Sequence, residues 1–386
     1  MLGRRQDLAT IRSLLKLYPV VAILGARQVG KTTVARELSR ARNPGSTLFD
    51  LENSRDAGKL ADAATALEAL RGLVILDEVQ RAPEIFAQLR WLADRPRVPA
   101  RFLVLGSSSP ALLRQSSESL AGRIAFHHLS GFSIEDVGVK DWKKLWIRGG
   151  FPRSFLARTE AASFAWRKNF IQTFVERDIP RLGFTISADT LERFWTMLAH
   201  YHGQIWNSAE LAKAFALSDK TVKSYMDILR DTFMVRVLRP FSENVGKRVV
   251  KSPKVYIQDS GILHGLLGLS TLGDLESHPK LGYSFEGFAI DQIARRLGAD
   301  PRDCYFWATH QGAELDLLVV HGRKRLGFEI KCTKAPSVTK STKIAIEDLK
   351  LDSLDIVHLG DETYSLTQKV RAVSISRLRQ DLKQLS

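Results

Sequence analysis

The sequence predicts an α/β protein: a parallel sheet with helices on both faces, then a helical and helix-turn-helix segment, then a second α/β domain. Three patterns predict it. From Val20 to Leu129, short apolar runs alternate with helix-like stretches, which is βαβ logic and implies a sheet buried on both sides. From Trp206 to Tyr256 the pattern is helix, break, helix and then a β-rich stretch rich in cations. From Gly282 a helix leads into three strand-like runs, a helical segment and a further strand. A chain of 386 residues is too long for one ordinary core. The changes of period divide it into residues 1–135, 136–200, 201–260 and 261–386.

The first strands are expected at Val20 to Leu24, Leu48 to Phe49, Leu73 to Leu76, Phe102 to Leu105 and Ala125 to Leu129. Aromatic-rich helices follow at Phe164 to Arg177 and Ala188 to His200 and read as a lid or connector, with Trp166, Phe170 and Phe174 as a buried stripe. Fifty-seven Lys and Arg against 42 Asp and Glu leave a charge of +15, which favours a polyanionic partner. The opening Met1-Leu2-Gly3-Arg4-Arg5-Gln6-Asp7 has no apolar signal core, and Val20 to Leu24 falls far short of a bilayer span. The expectation is a cytoplasmic protein with no membrane partner. Cys304 and Cys332 stand far apart, outside any C-x-x-C pair, and read as core thiols.

Gly25-Ala26-Arg27-Gln28-Val29-Gly30-Lys31-Thr32 fits G-x-x-x-x-G-K-[ST] between a strand and a helix. Its glycines let backbone N–H groups wrap phosphates at a helix N-terminus, Lys31 reaches the outer phosphates, and Thr32 offers its hydroxyl to Mg²⁺. Thr33 continues the helix. The expected ligand is ATP with Mg²⁺. Leu73-Val74-Ile75-Leu76-Asp77-Glu78 ends a strand in two carboxylates where α/β sheets bind ligands. Asp77 would hold the metal through water, and Glu78 would act as general base. Ser107 and Ser108, after the strand Phe102 to Leu105, would either orient water or cap the next helix. Arg123 would either stabilise charge on a transferring phosphoryl group or solvate the surface. His127 and His128 read as structural, with no carboxylate nearby in sequence. Glu176, Arg177 and Asp178 read as an internal ion-pair knot.

Taken together, Gly25 to Thr33, Leu76-Asp77-Glu78-Val79-Gln80, Leu105-Gly106-Ser107-Ser108, Ser119-Leu120-Ala121-Gly122-Arg123, Gly149-Gly150-Phe151-Pro152 and Glu176-Arg177-Asp178-Ile179 resemble AAA-type ATPases. The resemblance is closest to a prokaryotic family that joins such an ATPase to a C-terminal domain of unknown function. It implies ATP hydrolysis, an arginine finger at Arg123, and a homo-oligomer in which that finger works in trans.

Asn207 to Leu229 reads as a helix-turn-helix, with Ser208 and Ser218 as caps and Val222, Tyr225, Met226 and Leu229 as the buried stripe. Lys220, Thr221, Lys223 and Ser224 would face DNA in a major groove. The β-rich stretch that follows carries Arg236, Arg239, Lys247, Arg248, Lys251 and Lys254 against Glu243, and suits a wing along a phosphate backbone. The alternative is a winged helix used only for packing.

Strand alternation puts Glu329 and Lys331 on one face, beside Asp316 of the preceding strand and Glu286 of the preceding helix. Three carboxylates make a hard oxygen site for Mg²⁺ or Mn²⁺, with Lys331 to activate water. The order Glu286, Asp316, Glu329-Ile330-Lys331 resembles the PD-(D/E)XK nuclease core, with Leu315 where the name-giving proline would stand. That resemblance implies a restriction-endonuclease-like C-terminal domain, either cleaving DNA or kept as a binding platform. The functions in view are an ATP-coupled enzyme on DNA, an ATP-switched DNA- or protein-binding regulator, and a remodeller acting on a protein partner.

Overall fold

The computed structural model describes residues 2–40, 45–96, 100–106, 120–242 and 249–385. The chain divides into two compact units, residues 1–131 with 231–233, and residues 132–230 with 234–386. The boundary expected after residue 135 falls within a few residues of this division. The strand Val235–Pro240 pairs with the strand Cys304–Ala308 across the boundary expected after residue 260.

The first unit is a five-stranded parallel sheet, β1 (Val20–Leu24), β2 (Ser46–Asp50), β3 (Gly72–Asp77), β4 (Ala100–Gly106) and β5 (Ile124–His128), in the order β2-β3-β4-β1-β5. Every residue of β1 is buried, as expected for a strand covered on both faces. Val20, Ala22, Leu24, Val74, Leu76, Phe102 and Val104 share one cluster with Leu89 and Leu92 of the helix Ile85–Ala93. This register brings the ends of β1 and β3, and the segments that leave them, to one edge of the sheet.

The second unit contains a nine-stranded sheet. Its strands are β6 (Gln204–Ile205), β7 (Val235–Pro240), β8 (Lys254–Ile257), β9 (Cys304–Ala308), β10 (Glu314–His321), β11 (Lys324–Lys331), β12 (Ser353–His358), β13 (Tyr364–Ser365) and β14 (Val370–Ser374). The order is β13-β14-β12-β11-β10-β9-β7-β8-β6. The helices Ser208–Phe215 and Asp219–Asp231 lie in the stretch expected as a helix-turn-helix, and β7 and β8 follow as an antiparallel pair. Because β7 also pairs in parallel with β9, Arg239 opposite Tyr305, the ribbon is continuous with the C-terminal sheet. The helix Leu281–Leu297 precedes β9; β9, β10 and β11 form an antiparallel meander; and the helix Lys340–Asp348 leads to β12, parallel to β11.

Of the expected buried stripe, Phe170 and Phe174 are buried and Trp166 is half-buried; the three stack in succession, and Phe174 meets Trp195. The helix Glu160–Thr173 then widens into a π turn over Phe174–Asp178, just ahead of Pro180, whose nitrogen has no proton to donate. Glu176 and Arg177 are exposed there, with Glu176 accepting from Gln172 at 2.9 Å, so the segment is not an internal knot.

The pair Gly149-Gly150 has a steric reason. Gly149 has φ +74°, and a Cβ there would lie 2.0 Å from Asp259 Oδ1. Asp259 is half-buried at that point, accepting from Gly150 N at 2.7 Å and capping the helix Ser260–Leu266 through Ile262 N at 3.0 Å. Burial pushes its carboxyl up to about 6. The fully buried Arg167 donates to the carbonyls of Ile147 and Gly261 at 3.1 and 3.2 Å. No helix among the described residues is long and apolar enough to cross a membrane.

Candidate functional site

The phosphate loop leaves the end of β1 and enters the helix Lys31–Arg40. Its turns require its glycines: Gly30 has φ +105°, and a Cβ on Gly25 would lie 2.2 Å from the Leu129 carbonyl oxygen. Lys31 is buried and donates to the carbonyls of Gly25 and Ala26, each at 3.0 Å. Desolvation lowers its ammonium to about 8, against the pull of the Glu78 and Asp77 carboxylates. The Thr32 hydroxyl donates to Asp77 Oδ2 at 2.6 Å, while Asp77 Oδ1 accepts from Glu78 N at 3.0 Å. Burial pushes the Asp77 carboxyl up despite the Thr32 bond. Thr33 points to the exposed side of the helix.

Glu78 sits at φ +54°, a left-handed conformation that turns the chain sharply away from β3, and Gln80 Nε2 donates to its Oε2. Arg27 reaches Glu52 at 3.1 Å, and Arg81 reaches the same oxygen at 3.3 Å. A buried ammonium held by loop carbonyls, facing a hydroxyl–carboxylate pair, fits a triphosphate with its divalent cation.

Sequence reasoning missed two residues here. Arg4 is buried and donates from Nη2 to the Val29 carbonyl at 2.8 Å and from Nη1 to the Ser130 carbonyl at 2.6 Å, tying the loop to the chain after β5. No local pattern marks it, since its acceptors lie 25 and 126 residues away. Gln80 stood within the motif but was given no role. His127 does find a carboxylate, Asp7 Oδ1 at 2.9 Å, which an inspection of sequence neighbours could not reveal.

Arg123 does not serve its own phosphate loop. Val20 pairs with Ile124 and Leu24 with His128, so Arg123 lies where β1 begins, while the loop leaves where β1 ends. Five strand residues separate the two edges by roughly 16 Å. The guanidinium is held by Asp94, at 2.5 Å from Nε and 3.0 Å from Nη2. Action in cis is therefore excluded by distance. Ser107 and Ser108 lie outside the described residues.

In the second unit, Asn207 caps the first helix of the helix-turn-helix through Glu210 N at 3.3 Å, a correction to Ser208. Ser218 caps the second through Thr221 N at 3.1 Å, as expected. Lys220, Lys223 and Ser224 are exposed on the second helix and Thr221 is half-buried. Lys223 is already paired with Asp219 at 2.6 Å, and the Thr221 hydroxyl with that of Ser218 at 2.8 Å.

The expected wing cations divide differently. Arg236 is bound to Asp291 at 2.5 Å, and Arg239 donates to the Arg302 carbonyl at 2.8 Å. Lys254 is buried. Arg236 and Lys254 serve the sheet and its neighbouring helix, because β7 and β8 are interior to the nine-stranded sheet, whereas Arg239 remains exposed. Lys247 and Arg248 lie outside the described residues, as does Glu243.

The C-terminal carboxylates converge as predicted, but around a lysine. Asp316 is buried and its Oδ2 accepts from Ile330 N at 2.7 Å. The register of β10 against β9 shifts between Leu315 and Leu318, a bulge that re-aims this side chain. Glu329 is buried, with Oε1 on Lys331 Nζ at 2.6 Å and Oε2 without a hydrogen-bond partner among the described residues. Lys254 Nζ lies 3.2 Å from Glu286 Oε1 and 3.9 Å from Asp316 Oδ1, and also pairs with Glu314. The Tyr256 hydroxyl donates to Glu286 Oε1 at 2.6 Å.

Burial and the neighbouring Asp316 charge push Glu286 and Glu329 upward, and burial pushes up Asp316. Burial opposes the Lys254 charge, yet Glu286, Asp316 and Glu314 together raise its affinity for the proton. Among the described residues no group of three or more His, Cys, Asp or Glu side chains is arranged to hold a metal ion. The Mg²⁺ or Mn²⁺ site expected from Glu286, Asp316 and Glu329 is thus corrected, because an ammonium stands among the carboxylates. A lysine inside the apolar run Lys254–Ile257 was the available signal, since a charge in a buried strand requires partners.

The parallel sheet, its phosphate loop and the Thr32–Asp77 pair define an AAA-type P-loop NTPase domain. Residues 17–138 match the family described as AAA domain, and residues 139–273 and 281–378 match two described as domains of unknown function, DUF8612 and DUF4143. Two uncharacterized proteins, from Mycobacterium bovis and Mycobacterium tuberculosis, are each 47% identical over 378 residues, covering 98% of this chain and 85% of theirs. The chain belongs to their family. The Walker-type ATPase of Pyrococcus abyssi shares the fold, with a TM-score of 0.51 and 15% identity over 69% of this chain and 96% of its own.

Proposed function

We propose that this protein is a Mg²⁺-dependent ATPase that works as a nucleotide-controlled switch on DNA. The observation that carries the ATPase reading is the 2.6 Å bond from Thr32 to Asp77 beside the buried Lys31. Bound Mg²⁺ would supply positive charge that neutralises the phosphates. Thr32 and Asp77 would hold it, Asp77 through water, while Lys31 exchanges its two carbonyl partners for phosphate oxygens. Glu78, oriented by Gln80, accepts a proton from the attacking water. Arg123 acts on the site of a neighbouring copy, since it lies at the far edge from its own.

DNA as the partner is supported by the net charge of +15 and by Lys220, Lys223 and Ser224, exposed at the start of the second helix of a helix-turn-helix. The order of helix, three-stranded meander, helix and parallel strand, with Glu286, Asp316, Glu329 and Lys331 in sequence, supports a PD-(D/E)XK-like C-terminal fold. Lys254 among those carboxylates favours the reading in which that fold binds or assembles without cutting.

Hydrolysis by the purified protein, measured with and without duplex DNA beside Lys31→Ala and Glu78→Gln, tests the proposal. Expected are DNA-stimulated turnover lost in both variants and intact DNA on a denaturing gel. Hydrolysis indifferent to DNA would redirect the search to a protein partner, and Glu329-dependent strand breaks would restore the nuclease.

A further inference from the structure

Arg27, Glu52 and Arg81 form a charged group beside the phosphate loop that the hydrolysis described above does not use. Arg27 belongs to the loop itself, between Gly25 and Lys31. Glu52 follows β2, whose last residue, Asp50, lies level with Asp77 at the end of β3, and Leu51 N donates to the Asp77 carbonyl at 3.2 Å. Arg81 N donates to the Glu78 carbonyl at 3.0 Å, closing the turn that leaves β3. Three segments thus carry these side chains to the end of the sheet where Asp77 and Glu78 stand. Because Glu78 faces the attacking water, the group lies on the side of the loop that meets the outermost phosphate.

Both guanidinium groups bind one oxygen, Glu52 Oε1, from Arg27 at 3.1 Å and from Arg81 at 3.3 Å. Two positive charges on one carboxylate leave a surplus of positive charge next to a site for a polyanion. Behind desolvation and against the nearby carboxylates, the Arg27 charge also lowers the Lys31 ammonium, so the guanidinium lies within electrostatic reach of the group that meets the phosphates. Glu52 and Arg81 are exposed and Arg27 is half-buried. An exposed ion pair of this kind contributes little, whereas a guanidinium on a phosphate makes strong, often paired, charge-assisted bonds. Arg27 therefore has a weak partner in Glu52 and a stronger one in a phosphate.

We propose that Arg27 distinguishes a nucleoside triphosphate from a diphosphate: it leaves Glu52 for the outermost phosphate, while Glu52 keeps Arg81 and so stays paired. Glu52 is then a positioning residue that holds Arg27 until a triphosphate binds. Selectivity for ATP over ADP is set within one chain, with no contribution from a neighbouring copy. The inference rests on the ATPase reading and names how the same site tells substrate from product.

The test is calorimetric titration of the full-length protein, with Mg²⁺ present, using adenylyl imidodiphosphate as a triphosphate that is not hydrolysed and, separately, ADP. Arg27→Ala and Arg27→Gln should each bind the triphosphate about tenfold more weakly than wild type and ADP within about twofold of it, the retained ADP site showing that the loop is folded. Glu52→Gln should tighten the triphosphate about threefold, and Arg27→Ala in the same chain should remove that gain. Equal losses for both nucleotides in the Arg27 variants, or no loss for either, overturn the proposal while leaving the ATPase reading in place. A Glu52→Gln gain that persists without Arg27 overturns it as well. A wild-type protein that binds neither nucleotide removes the ATPase reading and this inference with it.

Discussion

Replacing Arg4 by Met should weaken the phosphate-loop unit far more than a residue near the chain start would suggest. The guanidinium donates at 2.6 Å to the Ser130 carbonyl and at 2.8 Å to the Val29 carbonyl, with a longer 3.3 Å contact to Gly131. A hydrogen bond from a charged donor contributes roughly 1.5–3 kcal/mol, so the two short bonds amount to roughly 3–6 kcal/mol before any offset. Methionine fills much of the same volume and relieves the desolvation of a buried cation, which leaves about 3 kcal/mol of net loss. With a urea dependence of about 1–3 kcal/mol per M, the unfolding midpoint of this unit should fall by about 1–3 M. The Val29 carbonyl belongs to the loop itself. If 1.4 kcal/mol of the loss is felt there, affinity for an ATP analogue falls about tenfold. Arg4→Lys keeps the charge but loses the planar fork and should recover less than half of either effect. Urea unfolding followed by circular dichroism, together with calorimetric nucleotide titration, gives both readouts. A variant with the wild-type midpoint and the wild-type Kd would show that the clamp is not a determinant of the loop.

Three further outcomes follow from the geometry. His202 and His264 are buried and neutral, and desolvation lowers each to about 3 from 6.5. The unfolded chain therefore binds more protons between those values, so their contribution is complete above pH 6.5 and is lost as pH falls. From pH 7 to pH 5 each should cost about 2 kcal/mol, and urea unfolding of the His202→Gln/His264→Gln protein should show a correspondingly shallower pH dependence than wild type. Gly149→Ala would place a Cβ 2.0 Å from Asp259 Oδ1 at φ +74°, ψ 178°. It should destabilise the second unit by at least about 3 kcal/mol in chemical denaturation, while Gly282→Ala, where nothing among the described residues lies within 4 Å, should not. Arg123→Ala should abolish hydrolysis alone yet, mixed with Lys31→Ala protein, recover part of it; two inactive pools that stay inactive together would refute action in trans.

How much of this was legible depended on whether a constraint was local. The phosphate loop declares itself because a wrapped anion requires Gly25, Gly30, Lys31 and Thr32 at fixed spacing between a strand and a helix. Asp77 and Glu78 follow at the end of an apolar run because α/β sheets present their ligand groups there. The strands around Asp316 and Glu329 were likewise readable from period-two alternation. What failed were the assignments that depended on a distant neighbour. Arg236 and Lys254 were read as solvent-facing wing cations because both lie in a basic stretch. Pairing of β7 with β9 instead makes that stretch interior, bringing Arg236 to Asp291 and Lys254 to three carboxylates.

Sequence alone thus determined the chemistry that backbone geometry enforces over a few consecutive residues: a loop for phosphates, a strand ending in carboxylates, a capped pair of helices. Tertiary structure decided the partners of the buried charges. A charge withdrawn from water must be matched within a few ångströms, and the matching group can lie 126 residues away, as with Arg4 and Ser130. The same rule brought Lys254 to Glu286, Glu314 and Asp316.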